Sequence, residues 1–238
     1  MRILGIESSS LVASVAIVTD DILTAEYTVN LKKTHSQTLL PMINEIFKML
    51  EIELDTIDAI AVSAGPGSFT GLRIGSATAK GLGFALNKPL INVPTVDAMA
   101  YGIFKTKSLI CPLMDARRNQ VYTGIYENSS EFKIIEPQCA ISIEEIISKL
   151  NKLNSDVIFL GDGTPVAREF IEATLKVPYT YAPAYCNRQR AAAVATLGAE
   201  YFKNGKVETA AEHAPNYLRV SQAERERAEK EIGNQDRT

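Results

Sequence analysis

Ser63-Ala64-Gly65-Pro66-Gly67-Ser68-Phe69-Thr70-Gly71-Leu72-Arg73-Ile74-Gly75-Ser76-Ala77-Thr78-Ala79-Lys80-Gly81-Leu82-Gly83-Phe84 reads as strand, loop and helix. The apolar run of residues 59–62 is broken by Gly65-Pro66-Gly67. Ser68 or Thr70 can then cap a helix with apolar positions at Leu72, Leu82 and Leu86. Inside that helix Gly71, Gly75, Ala79 and Gly83 recur every four residues and make one face nearly free of side chains. Each interior glycine costs roughly 1 kcal/mol relative to alanine, so close approach of another element, from this chain or a second one, has to offset it. A nucleotide-binding P-loop is excluded, because Leu72 follows Gly71 where that motif requires lysine.

Outward from this stretch, 238 residues suffice for one large domain or two of about 100–150 residues. Hydrophobic content of 46% and charged content of 22% describe an ordinary globular protein. A net charge of −3 is not that of a protein gripping nucleic acid over a broad basic surface, and no basic cluster stands out along the chain. Cys111, Cys139 and Cys186 lack the paired spacing of zinc sites and read as small buried thiols. The N-terminus turns acidic at Glu7, too soon for a signal peptide, and no apolar run reaches membrane-spanning length. The expected location is cytoplasmic.

Residues 2–7, 11–19 and 22–29 predict three successive strands. Residues 34–50 switch to helical period, with apolar side chains on more than one side and Pro41 in the early turns, where a kink is expected. A strand over 58–64, the small-faced helix over 71–86, a strand over 90–93 and a helix over 95–104 capped by Thr95 complete this half. The order then restarts: strands over 109–114, 120–126 and 131–135, and a helix over 142–153 with Ser142 and Glu145 as a capping box. A strand over 156–160, a Gly161-Asp162-Gly163 turn and a helix over 165–175 follow. The duplication predicts an α/β protein of two lobes, 1–105 and 106–220, each a mixed sheet with flanking helices, and a cleft between them. A further Ala-rich helix starts at or just after Asn187 and runs to Lys203. The charged residues 221–238 form a tail expected to be disordered.

Candidate chemistry is sparse. The first strand of each half ends in a carboxylate, Glu7 and Asp115, beside Ser8, Ser9 and the glycine turns. Such a cleft can in principle hold a nucleotide and its metal. There are only two histidines, His35 and His213. A helical metal pair would need a histidine four residues after His35, where Leu39 stands. The serines lack the Gly-x-Ser-x-Gly frame of a hydrolase.

Residues 4–9 (Leu-Gly-Ile-Glu-Ser-Ser), 35–42 (His-Ser-Gln-Thr-Leu-Leu-Pro-Met), 64–75, 114–122 (Met-Asp-Ala-Arg-Arg-Asn-Gln-Val-Tyr) and 215–219 (Pro-Asn-Tyr-Leu-Arg) together resemble the TsaB family, also called YeaZ. The resemblance covers the chain to about Arg219. It implies two duplicated lobes of the actin-like (ASKHA, RNase H-like) superfamily. It also implies a part in making N6-threonylcarbamoyladenosine (t6A) beside the anticodon of tRNA. The catalytic relative TsaD carries a His-x-x-x-His metal pair, matched here by His35 and Leu39, so the resemblance implies a non-catalytic activating subunit. The implied partners are a TsaD-like subunit, a TsaE-like ATPase and a second copy of the chain, with tRNA engaged indirectly and no membrane. No cofactor is expected on the isolated chain; ATP or ADP and a metal belong to the partners. The older glycoprotease-like label of the family finds no peptidase motif here. The expected subunit interface is His35, Leu39, Leu40, Met42, Ile43, Gly71, Gly75, Ala79 and Gly83. Glu7, Ser8, Ser9, Asp115, Gly161 and Gly163 are expected to form a vestigial nucleotide cleft. The alternative expectation is an ATPase of the same superfamily using the cleft carboxylates.

Overall fold

The strands at the centre of each half are apolar on both faces, so each sheet needs a helical layer on either side. The computed structural model, which describes residues 1–31 and 33–219, meets that need with five layers. In the first half, strands β1 (Arg2–Glu7), β2 (Val12–Thr19) and β3 (Ile22–Asn30) lead into helix α1 (His35–Leu50). Then come β4 (Ala59–Gly65), α2 (Phe69–Leu86), β5 (Leu90–Pro94) and α3 (Thr95–Tyr101). In the second half, β6 (Thr106–Asp115), β7 (Gln120–Asn128) and β8 (Phe132–Ser142) precede α4 (Ile143–Leu153). They are followed by β9 (Val157–Leu160), α5 (Thr164–Thr174), β10 (Tyr179–Tyr181) and α6 (Ala191–Lys203). The sheets have orders β3-β2-β1-β4-β5 and β8-β7-β6-β9-β10, the same path twice. In both, the first three strands are antiparallel and the last two join in parallel. The duplication read from the sequence is therefore a duplication of topology.

Alternation along the strands sorts residues between layers. Leu4, Ile6, Ile60 and Val62 point outward to α1 and α2, while Ile3, Ala59, Ala61 and Val93 point inward to α6. Helices α4 and α5 cover the outer face of the second sheet, and α3 covers its inner face. The two inner helices are exchanged. Helix α3, from the first half, packs on β6 and β7, while α6, from the 106–220 stretch, packs on β1, β2, β4 and β5. Chain order and packing partner diverge there. A buried hydrogen bond fixes the exchange on one side: the Tyr126 hydroxyl of β7 donates to Asp97 of α3 at 2.7 Å.

Several local readings need correction. Helix α6 begins at Ala191, four residues after Asn187, because its cap comes from distant strands: Ala191 N–H donates to Ser14 Oγ (3.0 Å) and Ala192 N–H to Glu26 Oε1 (3.1 Å). The Arg190 guanidinium pairs with the same Glu26. Thr95 does not cap α3; its hydroxyl accepts from Gly65 N–H (3.2 Å). Strand β8 is twice the predicted length, β10 was not expected at all, and α1 runs unbroken through Pro41. The Ser68 cap of α2 and the Ser142 cap of α4 are as expected. The tail over 221–238 lies outside the described residues.

The largest correction concerns the small-residue face of α2, which lies against the chain's own first sheet. A Cβ on Gly71 would stand 2.1 Å from the Ser8 carbonyl oxygen, and one on Gly83 2.4 Å from Leu90. Ala79 is fully buried in the outer core. Leu39, Met42 and Ile43 join that core, and His35 and Gly75 are buried beside it. Of the nine residues expected at a subunit interface, only Leu40 is exposed. The helix approaches its sheet closely, which is what offsets the cost of its glycines.

Gly71→Ala is expected to destabilise the protein by about 1–3 kcal/mol through overpacking against backbone. Gly81, exposed and with nothing within 4 Å of a would-be Cβ, should gain about 0.5–1 kcal/mol on substitution by alanine. Urea denaturation of the two variants checks both signs.

Candidate functional site: the cleft between the lobes

Strands β1 and β6 occupy equivalent positions, so their carboxyl ends, with the loops that follow, meet across the gap between the sheets. The loop after β1 (residues 8–11), the loop after β4 (65–68), the loop after β6 (116–119) and the 161–163 turn bound a cavity of about 740 Å³. Loop rests on loop: Ser68 N–H donates to the Ser9 carbonyl at 2.7 Å, which leaves no space for a side chain at Gly67.

Glu7 lies beneath the cavity, 1% exposed. Its Oε1 accepts from both the amide and the hydroxyl of Ser9, at 2.6 and 2.5 Å. Burial pushes its carboxyl from 4.5 up to about 7, against the pull of the Ser9 and Ser63 hydrogen bonds, and the Asp162 charge adds to the rise. Asp162 faces the cavity from the other lobe and takes a hydrogen bond from Gln189 Nε2 (3.2 Å); it too is raised by burial. Asp115 is exposed at the rim, its Oδ1 accepting from Arg117 N–H at 2.7 Å.

Of the six expected cleft residues, Ser9 and Asp115 line the cavity. Ser8 turns away under α2, donating to the Gly71 carbonyl at 2.9 Å. Gly161 and Gly163 press on β6, where Gly163 N–H donates to the Leu113 carbonyl at 2.8 Å; the residue their turn presents is Asp162. Toward the interior the carboxylates of Glu7 and Asp162 disfavour the phosphates of a nucleotide, while Asp115 stands at the rim beside arginines. Unforeseen members of the site are Arg117, Arg118 and Arg219. The sequence signals were the Asp-Ala-Arg-Arg run for the first two and the Pro-Asn-Tyr-Leu-Arg stretch for Arg219, though neither pointed to the cavity.

The two positions of the metal pair, 35 and 39, are held within the first lobe. His35 Nε2–H donates to the Ser10 carbonyl at 2.8 Å, and Leu39 is packed in the core. No group of three or more His, Cys, Asp or Glu among the described residues could hold a metal ion. His213 pairs through Nδ1 with Glu208, in the segment that bridges to Leu90 at the edge of the first sheet.

The position of Glu7 sets a pH dependence. Between pH 4.5 and 7 the unfolded chain has released this proton while the folded chain still holds it, so stability falls as pH rises through that window, by on the order of 3 kcal/mol. Asp97 and Asp162, both raised by burial, act in the same direction. Glu7→Gln keeps an acceptor for Ser9 and is expected to flatten the slope and raise stability at pH 8. Denaturant midpoints at pH 5 and pH 8 measure this, and an unaltered slope would contradict it.

With the geometry in place, comparison with known proteins is specific. A family model described as TsaD, tRNA N6-adenosine threonylcarbamoyltransferase, matches residues 24–227. The tRNA threonylcarbamoyladenosine biosynthesis protein TsaB of Bacillus subtilis (strain 168) is 32% identical over 94% of this chain and 96% of its own. The structure of YeaZ from Pseudomonas aeruginosa superposes with a TM-score of 0.78 at 24% identity, covering 91% of this chain and 99% of that one. An inorganic polyphosphate/ATP-glucomannokinase from Arthrobacter sp. strain KM superposes at 0.51 with 12% identity over 85% and 99% of the two chains, a likeness of fold alone. No helix among the described residues is long and apolar enough to cross a membrane. With two sheets of one topology and this full-length likeness, the chain belongs to the TsaB (YeaZ) family of tRNA threonylcarbamoyladenosine biosynthesis proteins.

Proposed function

We propose that the chain is a non-catalytic activating subunit in t6A formation, acting by pairing with a TsaD-like, metal-bearing subunit that transfers the threonylcarbamoyl group to tRNA. The observation that carries this is the fate of the metal pair. Leu39 occupies the second ligand position within the core, and His35 is committed to the Ser10 carbonyl. The metal and the nucleotide belong to partner subunits, a TsaE-like ATPase among them. The ATPase alternative draws support from the cavity between the lobes but meets the inward carboxylates of Glu7 and Asp162.

Pairing uses the outer faces of α1 and α2, the side opposite the small-residue face. Leu40, Met49 and Phe84 are each more than half exposed there, with Ala77, Gly81 and Ala85 offering low relief beside Phe84. Apolar side chains kept in water on the outer layer favour association, and a second copy of the chain can use the same faces. Threonylcarbamoylation of tRNA by purified catalytic subunit and ATPase, with and without this chain, tests the role. Equal rates would end it. Leu40→Glu with Phe84→Glu should weaken pairing at least tenfold in sedimentation while leaving the melting temperature within a few degrees; unchanged pairing would move the interface elsewhere.

A further inference from the structure

Four arginines from three separate parts of the chain come together at the mouth of the cleft. Arg117, Arg118 and Arg219 line the cavity. Arg73, on the exposed side of α2, stands 5.8 Å above the Tyr217 ring and donates through Nε to its hydroxyl at 3.2 Å. Tyr217 is stacked on Phe69, 4.6 Å between centroids and 10° from parallel. Phe69 and Arg219 line the main cavity and Tyr217 stacks on Phe69, so aromatic pair and arginines form one continuous surface.

The loop after β6 is built to hold its two arginines outward. Arg117, Arg118 and Asn119 have φ of +63°, +56° and +58°, three left-handed residues in succession and none of them glycine. Each costs roughly 1 kcal/mol or more. The backbone is pinned by its own neighbours: Arg117 N–H to Asp115, Ala116 N–H to the Gln120 carbonyl (3.0 Å), and Asn119 Nδ2 to Glu144 (3.0 Å). Arg219 Nη1 donates to the Ala116 carbonyl at 2.6 Å and ties the C-terminal segment to the same loop. The side chains of Arg117 and Arg118 are exposed, with no partner among the described residues. Two guanidinium groups are thus held in water by a strained but well-anchored backbone.

We propose that this rim is a direct contact surface for an RNA strand, with Arg117, Arg118 and Arg219 on phosphates and the Phe69–Tyr217 pair, flanked by Arg73, as a platform for a base. Guanidinium groups beside a half-exposed aromatic stack are the chemistry that single-stranded RNA meets in its binders. The layout selects a polymer crossing the mouth over a mononucleotide seated within, because the carboxylates of Glu7 and Asp162 lie inward of the arginines. The proposal rests on the reading of the chain as a subunit of a tRNA-modifying assembly and adds to it that this subunit touches the tRNA itself.

The test uses the assembled complex with a double variant, Arg117→Asn and Arg118→Asn, chosen because asparagine tolerates left-handed backbone. The KM for tRNA should rise about tenfold with kcat unchanged, and the dependence of log KM on log salt should flatten by about 1–2. Arg117→Lys with Arg118→Lys should recover most of the loss. An unchanged KM, or a fall in kcat alone, overturns the proposal. So does loss of subunit assembly in sedimentation, which would make the rim a protein contact. Calorimetric binding of ATP or inorganic phosphate to the wild-type chain that vanishes in the double variant would overturn it in favour of a small phosphate site. A complex that needs no TsaB-family subunit for activity refutes the functional reading instead. In that event, filter binding of an anticodon stem-loop RNA to the isolated wild-type and variant chains still decides the rim.

Discussion

One helix seated between two sheets holds this molecule together. Helix α6 reaches the first sheet where bulk has been removed from both surfaces: a Cβ on Gly198 would stand 2.5 Å from that of Ala61, and one on Gly5 2.5 Å from the Ala191 carbonyl. Its N-terminal amides are satisfied by Ser14 and Glu26, side chains of the sheet it covers. Arg190 neutralises Glu26, whose side chain is almost fully buried. A buried carboxylate with a paired guanidinium and two further donors is compensated; stripped of them it would be strongly destabilising. The exchange of α3 and α6 follows from this seat, since the helix closing the first sheet arrives only after the second sheet has been made.

The cleft that results is electrostatically layered. Two carboxylates with raised affinity for protons lie inside, and the arginines stand outside around the mouth. The interior is therefore lined by carboxylates that hold protons more tightly than usual. The positive charge has been displaced to the rim, where it meets solvent and whatever crosses the opening.

The repeat and most element boundaries were legible in the sequence, because hydrophobic period is a local property. The direction of the small-residue face was not. Gly71, Gly75, Ala79 and Gly83 advertise a close neighbour, and only the fold says that the neighbour is Ser8, Leu90 and the strands around them. The start of α6 was misplaced for a related reason, its caps lying more than 160 residues away. The convergence of Arg73, Arg118 and Arg219 at one rim was not legible, because they lie in separate stretches joined only by the fold. Strand β10 is three residues long, too short for alternation to register.

The loop after β1 carries a further consequence. Its three serines are bonded to three different neighbours: Ser8 Oγ to the Gly71 carbonyl in α2, the Ser9 carbonyl to Ser68 N–H at the head of α2, and the Ser10 carbonyl to His35 at the head of α1. The wall of the cleft and the roots of both outer helices are therefore one rigid joint. Free energy spent in displacing that joint from one side is felt on the other, and by reciprocity of linkage the two surfaces report on each other's occupancy. The fold can in this way act as a mechanical coupler between what rests on its outer helices and what lies across its cleft.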